Sequence, residues 1–157
     1  MSPVANNRGW TLPELVTVIA VLAIVAAIAA PRSLNRDVFT ARAYAVELAS
    51  AARLSRAIAV ASGCPVRLQI DNSGYLARQP AALGTHCGSA AGGYVRTVAR
   101  ASGGILQGPM PANLPFPGNL QWTFNSDGSV NTVGGNTVAA GPHLITVDPA
   151  NGTIAGP

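Results

Sequence analysis

The chain has 157 residues, a length that suits one domain with a modest core; 48% are hydrophobic and only 10% charged. That composition is too apolar for a disordered chain, and its 17 Gly and 12 Pro break it too often for an all-helical one. All ten basic residues are Arg, and they crowd into residues 1–101, which carry four acids and a net charge of +6, whereas residues 102–157 carry no Arg and two acids. A nucleic-acid groove interleaves basic residues with aromatics, and aromatics here are 5% of the chain.

In chain order, "RGWTLPEL" at residues 8–15 leads into an apolar run from Leu15 to Ala30. Residues 10–31 make a segment of about 20 residues, the usual spanning length, and read as a transmembrane helix. Thr11-Leu12-Pro13-Glu14 reads as a capping box, with Thr11 at the N-cap, Pro13 in the first turn and Glu14 reaching back. A carboxylate near bilayer depth costs on the order of 2–3 kcal/mol and calls for a partner. Two plainer readings compete: a single-span anchor, or a secretory signal cut after about Ala30, which would release a periplasmic binding module. Pro31 kinks the helix, and residues 32–62 continue it as an amphipathic half. Tyr44, Leu48, Ala51, Leu54 or Ser55, and Ile58 form its core stripe, with Arg42, Glu47, Arg53 and Arg56 mostly off it. Gly63 and Pro65 end it.

From Cys64 onward the period becomes two, and residues 63–157 read as a β-rich head. "PVRLQI", the turn "DNSG" and "YLARQ" predict a hairpin; "GYVRTVAR" predicts a strand; "LQWTF-NSDG-SVNTV" and "HLITVD-PANG-TIAG" predict two more hairpins. The Gly- and Pro-rich stretches "PAALGTHCGSAAGG" and "GGILQGPMPANLPFPGN" read as linkers. The fold class expected is α+β: a long N-terminal helix, half transmembrane and half amphipathic, packed on an antiparallel sheet.

Two cysteines, Cys64 and Cys87, follow an export-type N-terminus, so pairing is expected in an oxidising compartment. A metal site is the alternative, because His86 adjoins Cys87; adjacent His and Cys grip one ion poorly, and no C-x-x-C or H-x-x-x-H spacing exists, so no metal or cofactor is expected. His86 and His143 read as surface or loop residues. No nucleophile elbow, phosphate loop or paired carboxylates at helical spacing are present, so no enzyme is expected.

The segment from Arg8 to Pro31 resembles the processing and membrane segment of type IV pilins and pseudopilins, through Gly9, Thr11, Leu12, Glu14, Leu15 and the apolar run that ends at Pro31. Trp10 stands where Phe is usual, and Pro13 where an aliphatic residue is usual. "AARLSRAIAVASGCPVRLQI", "LQWTFNSDGSV" and "LITVDPANGTI" are similar to the GspH/FimT branch of that family. The resemblance implies a leader over residues 1–9, cleavage by a prepilin peptidase between Gly9 and Trp10, and N-methylation of Trp10. It implies that Glu14 pairs with the N-terminal amine of an adjacent subunit. It also implies an inner-membrane, single-pass minor pilin or pseudopilin with its head in the periplasm, which joins others of its kind through the N-terminal helix in a pilus or a type II secretion pseudopilus. Some members of the branch bind DNA through basic residues after the last hairpin's glycine; here Gly152 to Pro157 contain no Arg, so direct nucleic-acid contact is not expected, and a part in DNA uptake would run through the filament.

Overall fold

A computed structural model describes residues 10–29, 36–80, 86–87, 93–115 and 118–157. The chain divides into two units, residues 1–36 and 37–157.

The described part of the first unit is helix α1, Leu12–Ala29. Its residues with described side chains are all exposed, including Leu15, Val16, Ile19, Leu22 and Ile24. Of the transmembrane helix expected over residues 10–31, the structure describes Leu12–Ala29. Eighteen residues reach about 27 Å at the α-helical rise, against a hydrocarbon core of about 30 Å. Among the described residues no helix is long and apolar enough to cross a membrane. The single long helix is likewise described as two, because helix α2 runs Arg36–Ser62. Pro31, the expected kink, lies outside the described residues, as does the leader at 1–9.

Helix α2 is made of good helix formers, with alanine at its inner positions. Tyr44, Ala45, Leu48, Ala49, Ala52, Ser55 and Ala59 are buried, so the expected stripe forms the core face. Of the two candidates at its centre, Ser55 turns inward and Leu54 stays 37% exposed. Burial of that hydroxyl is made tolerable by its bond to the Ala51 carbonyl at 2.8 Å, one turn back. Gly63, at φ +68°, ends α2 in the left-handed conformation that glycine adopts without strain.

The head carries nine strands among the described residues: β1 Val66–Asp71, β2 Gly74–Pro80, β3 Tyr94–Thr97, β4 Gln107–Pro109, β5 Leu120–Phe124, β6 Val130–Val133, β7 Thr137–Ala140, β8 His143–Val147 and β9 Ile154–Ala155. The larger sheet has the order β3-β2-β1-β5-β6, with β4 also pairing β2, and β7-β8-β9 form a second sheet. All pairs are antiparallel. The three expected hairpins are the pairs β1–β2, β5–β6 and β8–β9. Strand β4 arises inside a stretch read as a linker, and β7 was not anticipated. Both are short, and what holds them is pairing with β2 and β8.

Strict alternation on β1 and β5 sends Val66, Leu68 and Ile70, and Leu120, Trp122 and Phe124, inward. They meet α2 and the inward residues Val138, Ala140, Ile145 and Val147 of the second sheet in one core. Trp122 is fully buried, and its indole N–H donates to the Gly135 carbonyl at 2.9 Å. Every residue of that core lies between Tyr44 and Ile154, so residues 36–157 contain what they need to fold alone.

Candidate functional site

At the start of α1, the Thr11 carbonyl accepts the N–H groups of Glu14 at 3.0 Å and Leu15 at 3.2 Å. Thr11 is therefore the residue that opens the helix, as the sequence suggests. The amide of Glu14 goes to that carbonyl; the reciprocal side-chain bonds of a capping box are not formed among the described residues. Glu14 stands in the first turn, where the helix dipole favours a negative charge. It has no ion-pair partner among the described residues. Trp10, just before the helix, is 69% exposed. Gly9 lies outside the described residues, so the bond between Gly9 and Trp10 does too.

The helix-to-strand junction is covalently closed. Cys64 and Cys87 form a disulfide with a Cα–Cα distance of 5.1 Å. Ser62, the last residue of α2, gathers the surrounding groups: its hydroxyl accepts the Cys64 N–H at 3.3 Å, and its carbonyl lies 2.9 Å from His86 Nε2. The ligand atoms of Cys64, His86 and Cys87 fall within 4.8 Å of one another, a convergence that the adjacency of His86 and Cys87 did not suggest. A metal is bound by thiolate, and sulfurs joined to each other offer none.

A polar trio, not foreseen from the sequence, ties α2 to the larger sheet. Tyr75 on β2 donates its hydroxyl to Glu47 Oε1 at 2.6 Å and accepts from Arg100 at 3.0 Å. Arg100 also donates to the Gln107 carbonyl at 2.7 Å and lies 3.5 Å from Glu47, the one ion pair among the described residues. Burial, followed by the neighbouring Glu47, pushes the Tyr75 phenol well above its ordinary range; nearby Tyr44 is pushed up to about 12, chiefly by burial. Glu47 on α2, Tyr75 on β2 and Arg100 in the segment after β3 are far apart in sequence, so only "off the core stripe" was legible for Glu47.

The last hairpin's turn is met by arginines from the helix. Arg56 Nε donates to the Asn151 carbonyl at 3.1 Å and Arg53 to the Ile154 carbonyl at 3.4 Å. Gly152 turns there at φ +65°, and an added Cβ would strike the Gly128 carbonyl oxygen. The turn that lacks arginine in sequence thus has two beside it in space, both already donating to backbone.

A family model described as type II transport protein GspH matches residues 44–153, most of α2 and nearly the whole head. No curated protein and no solved structure gives a significant match.

Proposed function

Because the chain belongs to the GspH family of type II transport proteins, we propose that it is a structural minor pseudopilin and not an enzyme, assembled with other pseudopilins in a type II secretion system. The family match over residues 44–153 carries this reading. The distribution of apolar residues supports it. Helix α1 leaves a chain of large apolar residues uncovered, at a cost of roughly 1.5–3 kcal/mol for each such side chain kept in water. A helix apolar all round belongs in lipid or among other helices. Helix α2 adds Phe39 at 70% exposure, Val46 and Val60 on the side away from its core face.

In this proposal the segment from Trp10 to about Pro31 sits in the inner membrane before assembly and among neighbouring helices afterwards, with the head in the periplasm. A prepilin peptidase cuts between Gly9 and Trp10, and the new amine on Trp10 is N-methylated. Glu14 then lies one turn from that cation. It pairs with the amine of an adjacent subunit, so desolvating the carboxylate becomes favourable only on docking. The same pairing sets the axial register.

Two measurements test the reading. N-terminal sequencing of the mature protein should return methylated Trp10; a start near Arg32 would instead identify a released periplasmic module. The Glu14→Leu variant should enter the membrane yet be absent from pseudopili. Normal incorporation of that variant would refute the role given to Glu14.

A further inference from the structure

The register of the larger sheet brings two arginines side by side on the face opposite the core. Val66, Leu68 and Ile70 point inward, so Arg67, Gln69 and Asp71 point out. Arg67 stands directly opposite Arg78 on β2 and Thr123 on β5. Arg78 stands opposite Thr97, and Thr123 opposite Asn131. One row across five strands therefore reads Thr97, Arg78, Arg67, Thr123, Asn131.

Like charges placed directly opposite in a sheet are destabilising. Here the chain does little to relieve them. Arg67 donates to the Thr123 hydroxyl at 3.3 Å, and its guanidinium lies 3.8 Å from the centre of the Tyr94 ring. Arg78 Nε is buried without a hydrogen-bond partner among the described residues. Neither arginine has a carboxylate partner among those residues. Asp71, on the same strand face, is four residues from Arg67, about 13 Å along a strand, and its oxygens are engaged by Gln69 and Ser73. A cavity of about 380 Å³ opens beside Arg78, bounded by Gln69, Asp71, Leu76 and Gln107.

We propose that the Arg67–Arg78 row is a docking site for an acidic segment of a partner protein. Two guanidinium forks match carboxylates in geometry and charge. The row is long, with hydroxyl and amide groups at its ends, which suits an extended chain making several contacts. Arginine and tyrosine are also the residues that anchor protein interfaces. The inference stands apart from the processing of residues 9–10, because it concerns the head alone.

The test uses residues 36–157, labelled for observation of arginine Nε–H signals by NMR, and two synthetic peptides, one with consecutive Glu residues and its Gln counterpart. The Glu peptide should move the Arg67 and Arg78 signals saturably and less at high salt, while the Gln peptide leaves them in place. Arg78→Gln should weaken binding about tenfold, the loss of one charge-assisted contact, and Arg53→Gln should not. Melting should show Arg78→Gln as stable as the parent or more so, since a like-charge contact is relieved. If that variant fails to fold, Arg78→Lys, which keeps the charge but loses the fork, should bind the Glu peptide more weakly than the parent and still prefer it to the Gln peptide. Four outcomes would overturn the proposal: no movement, equal movement with the Gln peptide, equal movement with inorganic phosphate alone, or tighter binding of single-stranded DNA through the same signals.

Discussion

Replacing Tyr75 by Phe removes one oxygen and leaves a ring that is 3% exposed packed as before. That oxygen donates to Glu47 at 2.6 Å and accepts from Arg100 at 3.0 Å. A hydrogen bond to a charged group contributes about 1.5–3 kcal/mol. The Glu47 side chain is 45% exposed and that of Arg100 35%, so both rehydrate in the variant, and the Glu47–Arg100 pair itself contributes little. The expected loss is therefore about 1–2 kcal/mol, or roughly 4–8 °C in Tm for a domain of this size. A second signature comes from protons. The folded Tyr75 pKa lies above its unfolded value near 10, because burial and Glu47 disfavour the phenolate. The unfolded chain then releases its proton first, so this contribution is intact below pH 10 and is lost as pH rises beyond it. Tyr75→Phe should make the alkaline loss of stability shallower, leaving the part due to Tyr44. Thermal melts of residues 36–157 at pH 7, and urea melts across pH 9–11, read the two effects. A Tm within about 1 °C of the parent, with an unchanged alkaline limb, would refute the view that this trio fastens α2 to the sheet.

Breaking the Cys64–Cys87 bridge, whose ends are 23 residues apart, should cost about 3 kcal/mol by the loop-entropy estimate. Melts of Cys64→Ser/Cys87→Ser, and of the parent with reductant, should agree; an unchanged Tm in both would contradict it. Gly152→Ala forces a side chain into φ +65° and against Gly128 and Arg56, so a loss above about 2 kcal/mol is expected. Gly63→Ala, at φ +68° with nothing within 4 Å of the added carbon, should cost only about 1 kcal/mol. Equal losses in denaturant melts would show that the close approach at Gly152 does not matter. The Ser73 hydroxyl holds the Asp71 carboxyl below its usual range, against a smaller opposing effect of burial, and the Ser73 N–H adds to the lowering. Its contribution is present above pH 4 and fades as pH falls through the lowered value, so Asp71→Asn should flatten the acid limb of a stability-versus-pH curve.

The amino-acid sequence by itself determined the local features. The apolar spacing on α2, the change of period at Cys64, and the turns at Asn72–Ser73, Ser126–Asp127 and Ala150–Asn151 are readable because helix faces, alternation and turns depend on neighbours a few residues apart. The opening of α1 at Thr11 and the family resemblance belong to the same class. The tertiary structure alone decided what lies between distant segments. Strand β1 pairs β5 across some fifty residues, β4 forms within a stretch rich in Gly and Pro, and Ser55 displaces Leu54 from the core face. So too the Glu47–Tyr75–Arg100 trio, the arginines beside Gly152 and the Arg67–Arg78 row. A one-residue change in register would send every side chain of a strand to the opposite face, and the register here places Trp122, Phe124 and Leu68 in one core with the alanines of α2. Which polar residues meet on the far side follows from that packing.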